Sequence, residues 1–182
     1  MSLEELWRLF PITLTKHSPL WAQQYEREKR RLQTRLEDGS LRFHHIGSTA
    51  IRDIAAKPIV DILLEAPETA DFEKLKPQLE QAGYLCMSRS KTRLSFNRGY
   101  TKQGFAPEVF HLHLRRYGDS DEIYFCAYLN DFPKTAEEYE TLKLSLWKKY
   151  EHDRDGYTAA KSAFVTSVTK KAKLYYSDKK TD

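Results

Sequence analysis

Between His44 and Ala66 the sequence runs HHIGSTAIRDIAAKPIVDILLEA, and this stretch limits the possible folds more than any other. "LRFHHI" and "PIVDILL" are short, apolar and rich in β-branched residues, so both read as strands. Gly47-Ser48 closes the first run and reads as the start of a turn. A lone aspartate, Asp61, stands in the middle of the second run. By the two-residue period of a strand it shares a face with Ile59 and Leu63, while Val60, Ile62 and Leu64 face the other way. A carboxylate inside such a strand is costly unless it is hydrogen-bonded, ion-paired or bound to a metal. Two readings follow. One is a tight turn between buried strands, with Asp61 tied to a neighbouring Lys or Arg. The other is a site for phosphates and a metal, in which glycine lets the backbone approach a ligand and the serine hydroxyl and exposed N–H groups hold a phosphate oxygen.

The rest of the chain places this stretch in an α+β protein. "SPLWAQQYEREKRRLQTRLEDG" predicts a helix capped by Ser18, with Pro19 at its first position and an exit at Gly39. Leu20, Trp21, Tyr25, Leu32 and Leu36 form its inner face. "TADFEKLKPQLEQAG" predicts a second helix, with Pro77 a potential break. "YLCMS", "TRLSFNR" and "EVFHLHLRR" read as further strands. From about Asp121 the chain reads as helical, for example with Tyr139, Leu142, Leu146 and Tyr150 at helical spacing. The expected architecture is a mixed sheet flanked by helices with a helical C-terminal third, in a single domain over 1–182. Cys86 and Cys126 have no paired spacing, which fits a reduced cytoplasmic protein. "MSLEELWRLF" lacks the pattern of a signal peptide, no apolar run is long enough to cross a bilayer, and "YYSDKKTD" reads as a frayed tail. The net charge of +4 suits an anionic small ligand rather than a membrane or a long nucleic acid.

Two further groups of residues carry chemistry. His111 and His113 alternate with Phe110, Leu112 and Leu114, so both imidazoles lie on the polar face of a strand. Same-face neighbours are about 6.6 Å apart, near enough to converge on one metal. If their strand neighbours that of Asp61, a His-His-Asp site forms; otherwise both are ordinary hydrogen-bonded histidines. His45 faces either the core or the same cleft. Among the basic residues, Lys57 precedes the Asp61 strand, Arg93 and Arg98 flank "LSFN", and Lys143 and Lys161 sit on two C-terminal helices. Tyr157 lies one helical turn before Lys161, able to stack on a base or simply to pack. Together these side chains are either a phosphate clamp or solvated surface charge.

"HIGSTAIRDIAAKPIVDI", followed in order by "HLHL", "FCAYLNDFPKTAEEYETLKLSL" and "DRDGYTAAKSAFV", resembles the signature of the GrpB-like family, and the Trp21 helix resembles its opening. The resemblance implies a nucleotidyltransferase-like fold. In that fold Gly47 and Ser48, with Thr49 in the same turn, would grip a triphosphate, and Asp61 would be the first carboxylate for Mg²⁺ or Mn²⁺. A second carboxylate is wanted two residues on, where this chain has Leu63; Glu65 is about 13 Å further along the backbone from Asp61. The chain also departs from the family pattern at Arg52-Asp53, where proline-glycine is usual, at His44, where glutamate is usual, and at Cys126-Ala127, where arginine-aspartate is usual. Some relatives carry a fused dephospho-coenzyme A kinase, but this chain has no G-x-x-x-x-G-K-[ST] loop for that chemistry. Three functions are expected in turn. The first is metal-dependent transfer of a nucleoside monophosphate with Asp61 and Lys57 as catalytic residues. The second is binding of a nucleoside triphosphate or other phosphorylated small molecule without transfer. The third is hydrolysis at a Zn²⁺ or Mn²⁺ held by His111 and His113.

Overall fold

A computed structural model describes residues 8–178. The first seven residues of "MSLEELWRLF" and the last four of the expected tail lie outside them. The described chain forms two compact units, neither contiguous in sequence.

One unit takes Ser18–Ala50 and Ile59–Ser120. Its first element, α1 (Leu20–Gln33), begins where Ser18 Oγ accepts the Leu20 N–H at 3.3 Å. Trp21, Tyr25, Glu28 and Leu32 are its buried stripe. Leu20 is 57% exposed rather than part of that face, because one residue before Trp21 it is rotated about 100° off the stripe. The helix stops at Gln33 instead of running to Gly39, yet Leu36 is still buried, its N–H bonded to Leu32 O. Strands β1 (Arg42–Ile46) and β2 (Val60–Ala66) follow, separated by a 3₁₀ turn at Ser48–Ala50. Helix α2 (Phe72–Gln81) is capped by Asp71, which accepts from the Glu73 N–H at 2.9 Å. It runs unbroken through Pro77, because losing one backbone bond is offset by burying Phe72, Leu75 and Leu79. Then come β3 (Leu85–Arg89), β4 (Arg93–Thr101) and β5 (Gly104–Arg116).

The sheet has the order β1-β2-β5-β4-β3, with β2 and β5 parallel and the other pairs antiparallel. Asp61 is in register with His111, and His111 with Asn97. One face is therefore Ile62, Leu64, Leu94, Phe96, Leu112 and Leu114, all buried, with α1 packed over β1 and β2. The other face carries Asp61, His111, His113, Ser95 and Asn97. The strand pairing is why a residue alternation legible in each segment becomes one polar surface.

The second unit holds the described residues before Ser18, Ile51–Pro58 and the chain from Asp121. It contains α3 (Asp121–Asp131), α4 (Pro133–Trp147) and α5 (Arg154–Asp178). The N-terminal segment is fixed to it by Trp147 Nε1 donating to Ile12 O at 2.6 Å and by the Thr15–Ala56 bridge. Tyr175–Asp178, expected to fray, are the last turn of α5. No helix among the described residues is long and apolar enough to cross a membrane.

Candidate functional site

Asp61 sits at the second residue of β2, not at the strand's centre, directly against the turn that precedes it. Gly47 is in the left-handed region at φ 73°, and a Cβ built on it would collide with the Asp61 carboxylate. Glycine is thus required twice over, by the backbone and by the aspartate beside it. The turn closes with Ala50 N–H donating to Gly47 O at 3.1 Å. Thr49, expected to contact a nucleotide, is instead buried and tied inward, its hydroxyl 3.0 Å from His45 Nε2 and 3.3 Å from Ile59 O.

His45 belongs to the core side. Its ring stacks on Tyr25 at 4.8 Å, and burial pushes its pKa down to about 4. The neutral ring donates to Thr49 Oγ1, which passes a hydrogen bond to Ile59 O. Because the folded pKa lies below the unfolded value of about 6.5, the unfolded chain binds the extra proton between these two pH values. Stability from this group is therefore complete above pH 6.5 and lost as the pH falls toward 4, by roughly 3 kcal/mol at most. In urea titrations His45→Phe is expected to lose less stability across that window than the wild type.

The strands of Asp61 and the two histidines are neighbours, and their side chains meet. His111 Nδ1 is 3.3 Å and His113 Nε2 3.7 Å from Asp61 Oδ1. Burial acts to raise the Asp61 pKa, but hydrogen bonds and charge from His111 and His113 hold it well below the usual carboxylate range. His111 Nε2 is in turn 2.8 Å from the Tyr100 hydroxyl. Tyr100 had no place in the sequence-based site.

The donor set does not fit the Mg²⁺ or Mn²⁺ expected for nucleotidyl transfer. Such ions want several oxygen ligands, and a two-metal site wants bridging carboxylates. Asp61 is the one carboxylate here, since Leu63 is buried two residues on and Glu65 is engaged elsewhere. Glu65 accepts from Gly118 N–H at 3.0 Å and meets His44 Nε2 at 2.9 Å. A Zn²⁺ site fares no better, because both ring nitrogens of His111 already have partners. Among the described residues no three His, Cys, Asp or Glu side chains are arranged to hold a metal.

The basic residues separate into two sets. Arg93 makes a two-bond pair with Asp119, at 2.6 Å each, and Arg98 Nη1 meets Glu28 at 2.6 Å. Neither joins a cluster of lysines. In the other unit Lys57, Lys143 and Lys161 do converge. Lys57 Nζ lies 5.6 Å and Lys161 Nζ 4.1 Å from the centre of the Tyr157 ring. Lys143, only 1% exposed, donates to Ala55 O, and its pKa is pushed down to about 8 by burial; Glu140 opposes the shift and the Lys57 charge adds to it. Tyr157 is itself buried, and its hydroxyl has no hydrogen-bond partner among the described residues.

The departures from the family pattern also have a structural cast. Asp53, at a position where the resemblance leads one to expect glycine, has φ 62°. Arg52 N–H and Nη2 both bond to Asn130, and His44 is the partner of Glu65.

Comparison with known proteins gives the following. The family model described as GrpB protein matches residues 11–171. The chain is 35% identical to the glutamate-rich protein GrpB of Alkalihalophilus pseudofirmus over 86% of its own length and 93% of the relative's. It is 26% identical to a dephospho-CoA kinase of Mycolicibacterium paratuberculosis, over 89% of this chain but 46% of that one. The crystal structure of conserved protein GrpB from Enterococcus faecalis superposes with a TM-score of 0.78 at 29% identity, covering 90% of this chain and 99% of that one. The Cid1 poly(U) polymerase, solved with MgGTP bound, superposes with a TM-score of 0.51 at 13% identity, over 78% of this chain and 44% of its own, a likeness of fold alone.

Proposed function

The chain belongs to the GrpB protein family, and from that premise we propose that it is a phosphate-binding protein of the nucleotidyltransferase-like fold. Its ligand is a nucleoside triphosphate or another phosphorylated small molecule. The observation that carries this reading is the pair of lysines, Lys57 and Lys161, on the Tyr157 ring, with the Lys143 charge felt beside Lys57. Like charges held close together repel one another, and the Lys143 pKa, lowered chiefly by burial, is lowered further by the Lys57 charge. A buried hydroxyl without a partner adds a further cost of about 1–3 kcal/mol. A phosphate group relieves both, accepting from the hydroxyl and neutralising the ammonium groups.

The Gly47-Ser48 turn carries less of the weight, because a phosphate there would face the Asp61 carboxylate. Metal-dependent transfer of a nucleoside monophosphate is the further step suggested by the fold. The carboxylates present favour binding over transfer, so no transfer step is assigned to Asp61 or Lys57.

The test is charge removal. Replacing Lys57 and Lys161 together by glutamine is expected to lower affinity for inorganic pyrophosphate by about tenfold or more per lysine, since a charge-assisted hydrogen bond is worth about 1.5–3 kcal/mol. Arg93→Gln, measured beside it by calorimetry, is expected to change nothing. Unchanged affinity in the double variant would sink the reading.

A further inference from the structure

The Asp61 side of the protein holds a second arrangement, independent of the lysines. An ionised carboxylate can only accept hydrogen bonds, so Asp61 Oδ1 fixes a proton on His111 Nδ1. In the neutral ring Nε2 is then a bare acceptor, and the Tyr100 hydroxyl 2.8 Å away must donate to it. The tyrosine and imidazole rings also lie 18° from parallel, with centroids 5.9 Å apart.

Tyr100 reaches this position through a deliberate irregularity. By simple alternation it would lie with Leu94, Phe96 and Arg98, and Arg98 does stay on that side, its guanidinium 5.3 Å from the Phe110 ring. The register of β4 against β5 shifts between Arg98 and Tyr100, at Gly99 with φ 92°. A Cβ on Gly99 would run into Glu108 O, so glycine is needed for the bulge. Bulges of this kind re-aim side chains, and here the result is a half-buried tyrosine turned onto His111.

We propose that Tyr100 is a nucleophile toward phosphorus, with His111 as its base and Asp61 as the residue that positions and charges the base. A hydroxyl within reach of a base, itself oriented by a third group, is the arrangement shared by activated nucleophiles. The substrate class is a phosphoric ester or anhydride. The Tyr100 proton passes to His111 Nε2 as Oη forms a bond to phosphorus. The bond from phosphorus to the leaving group breaks, the leaving group departs with the bonding pair, and Asp61 stabilises the imidazolium. The immediate product is a covalent adduct on Tyr100.

The test uses an alkyl fluorophosphonate, whose leaving group is fluoride. Incubation with the folded protein and peptide mass spectrometry are expected to find one adduct, at Tyr100, among the chain's 11 tyrosines. His111→Gln is expected to slow labelling by about a hundredfold or more, the scale of general-base assistance. Asp61→Asn is expected to slow it too, whereas His44→Gln, whose partner is Glu65, stays near the wild-type rate; circular dichroism confirms that each variant is folded. Nitrogen-15 NMR provides a second readout, with His111 expected as the Nδ1–H tautomer and a mixture of tautomers in Asp61→Asn. Labels spread over several tyrosines, no label, an undiminished rate in folded His111→Gln, or an Nε2–H tautomer would each overturn the proposal. The probe carries no nucleotide, so its failure is separable from failure of the lysine–Tyr157 reading.

Discussion

Gly47→Ala is expected to destabilise the folded chain by about 2–4 kcal/mol, read as a lowered urea midpoint with an unchanged slope. Two costs combine. A non-glycine residue held at positive φ costs about 1–3 kcal/mol, and forcing an extra methyl into a filled space costs a similar amount. The methyl would lie within 3.0 Å of Asp61 Cγ and nearer still to Oδ2, so the carboxylate must move away from the turn. That movement separates Asp61 from His111 and His113, and the contacts at 3.3 Å and 3.7 Å are lost together. Gly39→Ala is the matched control. A Cβ there meets nothing within 4 Å, and its midpoint is expected to stay near that of the wild type.

Glu28→Ala is expected to cost about 3–5 kcal/mol, the range for removing one member of a buried charged network. Glu28 is 4% exposed, and its two oxygens accept from Arg31 at 2.6 Å and 2.8 Å, from Arg98 at 2.6 Å and from Tyr84 at 2.9 Å. Burial acts to raise its pKa, but hydrogen bonds from Arg31, Arg98 and Tyr84 lower it on balance. Without the carboxylate, two guanidinium groups and a buried hydroxyl face one another. Thermal unfolding near pH 7 reads the loss. Phosphate affinity is expected to remain near that of the wild type in any Glu28 or Arg98 variant that still folds, since Arg98 serves Glu28 rather than a ligand.

The same residue shows where sequence reading stops. Glu28 lies in EREKRRLQ, and one-dimensional charge patterning assigns such a residue to the solvated face of α1. Its burial depends on Arg98 and Tyr84 being carried to it by other elements, which spacing within the helix does not encode. Tyr100 was hidden for a related reason. Alternation along β4 places it on the wrong face, and the Gly99 bulge that reverses it is visible only once β4 is paired with β5. Asp61, His111 and His113 were legible because each occupies a simple period-two position, and the parallel pairing of β2 with β5 then needed only the correct neighbour. Lys57, Lys143 and Lys161 stood out by their places before the Asp61 strand and on two C-terminal helices, and Tyr157 by its helical spacing to Lys161. The acids that pair with Arg93 and Arg98, Asp119 and Glu28, are distant in sequence and so do not show along the chain. The strands and the C-terminal helices followed from hydrophobic periodicity, whereas the end of α1 did not. Leu36 continues the apolar pattern beyond Gln33, the last residue of α1, so the periodicity overruns the helix.

The central claim is that positive charge around Tyr157, rather than a metal at Asp61, holds a phosphorylated ligand. Calorimetric titration of the wild-type protein with ATP, with Mg²⁺ replaced by EDTA, tests it most directly. The account predicts saturable one-to-one binding without the metal that weakens as salt is raised, as charge-based recognition requires. Binding that appears only with Mg²⁺ or Mn²⁺ and vanishes in Asp61→Asn would contradict it and return the site to the carboxylate.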